Sequence, residues 1–225
     1  MQPLSFTQEY FLCSVNDKGD IPMLYSSYVQ AGLLVGGMLE LLQHGYIRRD
    51  EQDHLRTGKD WDDQLPYLRP LYNTIVGLKK PRDIKGVATQ YMFKTSPKPF
   101  NEYFDAIGLS LAAAGCADEL SKPGAWRDKL KYIPREAAIH QVVQRIRTEL
   151  LEEGVIYEQT VCLVAFLDKS DMIKQYFSKF EAKALKARIK EIRSSEAYAS
   201  IKEVLDEVDN MIAMIVIVLG MIATV

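Results

Sequence analysis

Apolar positions recur at helical spacing along most of the chain, and they thicken towards its end. Of the last fifteen residues, Met211 to Val225, thirteen are apolar, and the other two, Gly220 and Thr224, are small and uncharged. A helix that is apolar on every side must be enclosed by protein or by lipid. Fifteen residues at about 1.5 Å each reach roughly 22 Å, short of a ~30 Å hydrocarbon core. Glu203, Asp206, Glu207 and Asp209 precede the run, and no Lys or Arg anchors it. The pattern therefore predicts a central helix in a soluble domain, with the other helices packed around it; the alternative is a short C-terminal membrane anchor.

The remaining elements follow in order. Ser5 and Gln8 form an S-x-x-Q capping box, which predicts a helix start, and Tyr10, Phe11, Leu12 and Val15 give it an apolar side. Asn16 to Asp20 is a turn signal. A helix is expected from Ser26 to His44, closed by Gly45. It carries Gly32, Gly36 and Gly37, each costing about 1 kcal/mol relative to Ala, so close packing of another backbone is expected against that face. Tyr46 to Leu65 reads as a β-hairpin or irregular excursion. Leu68, Leu71, Ile75 and Leu78 mark a further helix.

Asp83 to Lys94 and Asn101 to Leu120 are expected helices, separated by a loop at Thr95 to Pro99 and followed by one at Ser121 to Gly124. Pro134 to Glu153 is amphipathic, with Ile139, Val142, Val143, Ile146 and Leu150 inward and Gly154 closing it. Val155 to Asp168 holds two apolar runs around Glu158 and Gln159, which reads as a hairpin. Asp168 or Ser170 caps a helix reaching about Arg193, and the chain from Glu196 leads into the terminal helix. No repeat or linker divides the sequence. The fold class is mainly α: a single helical domain, residues 1–225, packed around an apolar C-terminal central helix, with peripheral β-hairpins.

Composition narrows the function classes. An apolar content of 48% supports a sizeable core. A net charge of −2 gives no bulk attraction to nucleic acid. The opening lacks the basic and apolar regions of a signal peptide. Cys13, Cys116 and Cys162 are scattered in apolar surroundings and read as reduced thiols of a cytoplasmic protein. None of His44, His54 and His140 has a partner at metal-ligand spacing. No phosphate loop, dinucleotide fingerprint or nucleophile elbow is present, and no carboxylate pair stands out. No catalytic residue, metal site or cofactor is expected.

Three stretches remain. Ile21, Pro22, Met23, Leu24 and Tyr25 could face a bilayer surface, or could begin the core packing of the second helix. Arg135, Arg145 and Arg147, with Lys129 and Lys131 upstream, could hold a phosphorylated headgroup, or could be a solvated helix face. Lys183, Lys186, Arg188, Lys190 and Arg193 are interleaved with Glu181 and Glu191 and read as solvated exterior.

The opening LSFTQEYFLCSVNDKGDIPMLYSSYVQAGLLVGGMLELLQHGYI resembles the start of the Golgi phosphoprotein 3 (GPP34) family. Gly32-Leu33, Glu40-Leu41 and Gly45 match its second helix, and RIRTELLEEGVI (Arg145 to Ile156) matches its later one. The resemblance implies a helical fold with edge hairpins. It also implies a peripheral membrane protein that binds phosphatidylinositol 4-phosphate, some members being adaptors, with no known enzymatic activity. The family pocket uses an aromatic residue and three arginines. Here Tyr25 falls at the aromatic position, Leu34 at the arginine of helix two, and His140 and Val143 at the later two. Arg147 follows His140 on the same face. The expected lipid-binding residues are Met23, Leu24, Tyr25, His140 and Arg147. The expected partner is an anionic phospholipid or phosphoinositide headgroup. The alternative is a protein–protein adaptor on the same scaffold.

Overall fold

The computed structural model describes residues 3–93, 98–122, 129–152 and 154–222. Its chain order is α1 (Phe6–Ser14), α2 (Ser26–Gln43), β1 (Ile47–Arg49), β2 (Leu55–Thr57), α3 (Arg69–Val76), α4 (Ile84–Phe93), α5 (Lys98–Ala113), β3 (Ala117–Lys122), β4 (Lys129–Pro134), α6 (Glu136–Ile146), α7 (Glu158–Lys169), α8 (Ile173–Tyr176), α9 (Lys179–Ser194) and α10 (Ala199–Ile222). Short 3-10 turns precede α2, α3 and α10, and a π-helical turn, Arg147–Leu151, extends α6. Two antiparallel hairpins sit at the edge: β1 pairs with β2 through Arg48↔Arg56, and β3 with β4 through Glu119↔Tyr132. The mainly helical architecture with peripheral hairpins is the one that the hydrophobic pattern predicts.

The helix starts and stops follow local chemistry. Ser5 and Gln8 cap α1 reciprocally, each side chain bonding the other's backbone N–H. Gly45 takes a left-handed φ of 73° just past α2, so the chain can reverse into β1. The α2 glycines do meet close neighbours, but the neighbours are aromatic rings rather than a second backbone. A Cβ on Gly32 would lie 2.4 Å from the Tyr10 ring, and one on Gly37 2.2 Å from the Tyr103 hydroxyl.

Burial is deepest along α2, where Val29, the run Ala31 to Met38 and Leu41 are enclosed, and along α7 from Thr160 to Leu167. α10 packs against α2, α4, α7 and α9. Its Leu205, Val208, Met211 and Ile215 face the core, whereas Ala213 is exposed and Ile217 is 53% exposed. The place at the centre belongs to α2, and α10 lies against it with one face inward. The last three residues, and the side chains beyond Ile217, lie outside the described part.

Three expectations need correction. Val155 to Asp168 is not a hairpin, since α7 occupies Glu158–Lys169. Its apolar residues are buried on all sides between α1, α6, α9 and α10, and continuous apolar runs carry no period that separates strand from helix. The helix expected to Leu120 stops at Ala113, where Gly115 at φ 72° turns the chain into β3. The helix expected up to Arg193 is interrupted. Asp171, at φ 57°, closes α7, α8 is a single turn, and Ser178 starts α9 with its own capping box. The two expected loops fall largely outside the described residues; Lys98 and Pro99 already belong to α5, and Ser121 and Lys122 to β3.

Candidate functional site

The turn between α1 and α2 is organised by the side chain of Asn16, whose Oδ1 accepts from the N–H groups of Lys18 and Asp20. Gly19, at φ 72°, lets this turn pass against the backbone of Tyr132 in β4. Lys131 of the same strand pairs with Asp20. The turn is thereby fastened to the β3–β4 hairpin, and the chain emerges at Pro22 into a 3-10 turn, Met23–Tyr25. Met23 is 92% exposed and Leu24 83% exposed, while Tyr25 is half-buried against the core. The two side chains thus do not begin the core packing of α2.

The Lys174 ammonium on α8 is held above its usual range chiefly by its hydrogen bond to Asp171. Arg147 borders α8 from its other end. It donates Nη2–H to the Tyr176 carbonyl at 3.3 Å and Nε–H to Glu181 at 2.7 Å, and its guanidinium stacks over the Phe177 ring. That hydrogen bond from Arg147, with those from the Ser178 backbone and hydroxyl, brings the Glu181 carboxyl down to about 2. Arg147 is therefore committed to protein partners and offers no free charge to a headgroup.

The other family positions are filled differently. Leu34 is 0% exposed and Val143 is buried in the core. His140 is exposed and lies 3.2 Å from the Gln144 side chain, one turn along its own helix. Arg145 faces inward, to Glu9 and Glu149. Arg135 reaches Asp118 across the hairpin. Of the five expected residues, the structure places Met23, Leu24 and Tyr25 together. Arg147 is engaged with Tyr176, Phe177 and Glu181, and His140 stays on the surface of α6.

A cleft of ≈ 730 Å³ lies elsewhere, between the start of α1, the end of α2, the segment Gln64 to Tyr67 and the start of α7. None of Tyr25, His140 and Arg147 lines it. Several of its polar groups are bonded within the protein. Glu40 accepts from the Thr7 N–H at 2.7 Å and from the Tyr67 hydroxyl at 2.6 Å, and the Gln8 amide donates to Ser110 at 3.0 Å. Burial pushes the Cys162 thiol on its wall up to about 12, which leaves it a poor nucleophile. Among the described residues, no group of three His, Cys, Asp or Glu side chains is arranged to hold a metal. Among them, too, no helix is long and apolar enough to cross a membrane.

No curated protein matches the chain. The family model for Golgi phosphoprotein 3 (GPP34) matches residues 7–208, from the first turn of α1 to the middle of α10. By that match over nearly all of its helices, the chain belongs to the Golgi phosphoprotein 3 (GPP34) family.

Proposed function

We propose that this GPP34-family chain is a non-enzymatic peripheral membrane protein that docks reversibly on the cytoplasmic face of a membrane through the turn Met23–Tyr25. The observation that carries this reading is the exposure of Met23 and Leu24, adjacent apolar side chains at the tip of a turn whose base is fastened to β4. Scattered exposed apolar residues need no explanation, but two together on a rigid tip form a surface suited to the lipid interface.

The lipid preference follows from the filled family positions. Leu34 and Val143 bring no charge, and Arg147 is spent on Glu181. Each charge-assisted bond is worth about 1.5–3 kcal/mol, so a headgroup site without them has little grip on phosphatidylinositol 4-phosphate. Anionic lipid in general is the better-supported partner.

The same loss favours a second reading, an adaptor that binds protein and has given up headgroup recognition. Flotation separates the two. The chain is mixed with vesicles of phosphatidylcholine alone, with phosphatidylserine, or with phosphatidylinositol 4-phosphate, and compared with Tyr25→Ala and Met23→Asp. Flotation on both anionic mixtures, weakened by both substitutions, is expected. No flotation on any vesicle, or equal flotation of all three proteins, overturns the docking reading and leaves the adaptor.

A further inference from the structure

We propose that α9 makes a second membrane contact: Phe180 inserts into an anionic bilayer while Lys179, Lys183 and Lys190 lie on its surface, with Arg147 as the residue that positions this helix. The proposal extends the docking reading above and shares its occupant, but it rests on different residues.

Phe180 is 82% exposed, in the first turn of a regular helix. Steps of three and four residues carry the same stripe through Lys183, Ala187 and Lys190, all exposed. The opposite side, through Leu185 and Ile192, is buried. The cations of α9 divide into two sets. Lys186 pairs with Asp168, Arg188 with Glu191, and Arg193 with Asp206 and Asp209. Lys179, Lys183 and Lys190 have no ion-pair partner among the described residues. Lys183 and Lys190 therefore line the stripe that bears the aromatic ring and Lys179 borders it, while Glu191, three turns from Phe180 on the same side, is paired with Arg188.

A lone exposed ring needs no explanation, but one set among unpaired lysines on the same helix suits a bilayer surface: the ring enters the acyl boundary, and the lysines lay their stems on apolar surface with their ammonium groups among anionic headgroups. The cations of the stripe are flexible point charges, which suits a diffuse negative surface better than the fixed carboxylates of a protein partner.

Phe180 is held outward by its neighbours. Ser178 and Glu181 form the capping box of α9, and Arg147 binds Glu181 while stacking on the buried Phe177 ring. Phe177 thus takes the inward place, and the helix start is pinned from α6.

The buried native cysteines permit selective labelling. An environment-sensitive dye is attached to Phe180→Cys, and in a parallel protein to Met23→Cys, and each full chain is mixed with vesicles of phosphatidylcholine with or without phosphatidylserine. A blue shift of the dye at 180 on the anionic vesicles only is expected. Changing Lys179, Lys183 and Lys190 together to Ala should weaken binding to them roughly a hundredfold, about fivefold per charge. Arg147→Ala should shrink the shift at 180 and leave that at 23, with Arg147→Lys restoring part of it. A shift at 180 without one at 23 upholds this contact and overturns the turn as the docking site. A shift at 23 without one at 180 overturns this contact alone. Full affinity in the triple variant refutes the lysine face, and an unchanged shift in Arg147→Ala refutes the positioning role. If Phe180→Asp instead abolishes capture of an acidic protein while vesicle binding persists, the occupant is protein and the proposal fails.

Discussion

Arg145 grips Glu9 through two parallel hydrogen bonds of 2.6 Å each, tying α6 to α1. Glu9 is 3% exposed, and its second oxygen also accepts from the Gln159 amide of α7 at 2.8 Å. Three helices therefore meet on one carboxylate. Removing one partner of a buried pair leaves the other charge uncompensated, at about 3–5 kcal/mol. Arg145 keeps partial access to water, which places Arg145→Ala near 3 kcal/mol on that scale. A shift of the urea midpoint at unchanged slope measures it, and a shift under about 1 kcal/mol, the range of surface pairs, would show that the pair is solvated.

Gly37 is the tightest point of α2. An added methyl would press on the Tyr103 hydroxyl, which donates to the Leu33 carbonyl at 2.9 Å and is fully buried. Overpacking costs about 1–3 kcal/mol, against about 1 kcal/mol gained in helix propensity. Gly37→Ala should therefore be net destabilising and lower the melting temperature by a few degrees. A higher melting temperature would mean that Tyr103 gives way.

Acid should weaken the fold through specific carboxylates. Glu181, lowered from 4.5 to about 2, is held chiefly by Arg147; Asp50, lowered from 3.8 to about 2, chiefly by Arg56; and Asp62, lowered likewise, chiefly by Tyr46. A depressed carboxyl contributes stability that is complete above its unfolded pKa and is lost as pH falls through the folded one. Melting temperature should thus decline from about pH 4.5 towards 2. In Glu181→Gln the decline should be shallower. A pH profile parallel to wild type would remove Glu181 from the account.

The thiols should be inert in the folded state. Burial raises Cys13 and Cys162 to about 12, with Glu9 adding to the first and Glu158 to the second. A thiol reagent near pH 8 should label them only after urea is added. Rapid labelling of the native chain would reveal local opening of α1 or α7.

The exposed pair on the docking turn gives a further number. Fully burying a Leu or Met side chain contributes about 1.5–3 kcal/mol, so two partly inserted ones give about 3 kcal/mol. Met23→Ala with Leu24→Ala should weaken binding to anionic vesicles by roughly a hundredfold, with melting unchanged. Unchanged binding would place the contact elsewhere on the surface.

Local signals were legible in the residues themselves. The Ser5 capping box, the Gly45 turn and the amphipathic stripe of α6 depend on chemistry within one or two turns, so spacing alone determined them. So did the family, whose motifs are strings of adjacent residues. α7 was not legible, because a run buried on every side has the same apolar pattern as strand or helix.

The candidate site depended still more on the tertiary structure. Arg147 reads as a free cation until Glu181, thirty-four residues on, is folded beside it. Met23 and Leu24 read more readily as the start of the core packing than as surface until the turn is folded against β4, where both are exposed. Sequence alone determined what each segment could form and which side of it was apolar. Which charges remained free, and which apolar side chains were left uncovered, depended on contacts between distant segments, and only packing sets those.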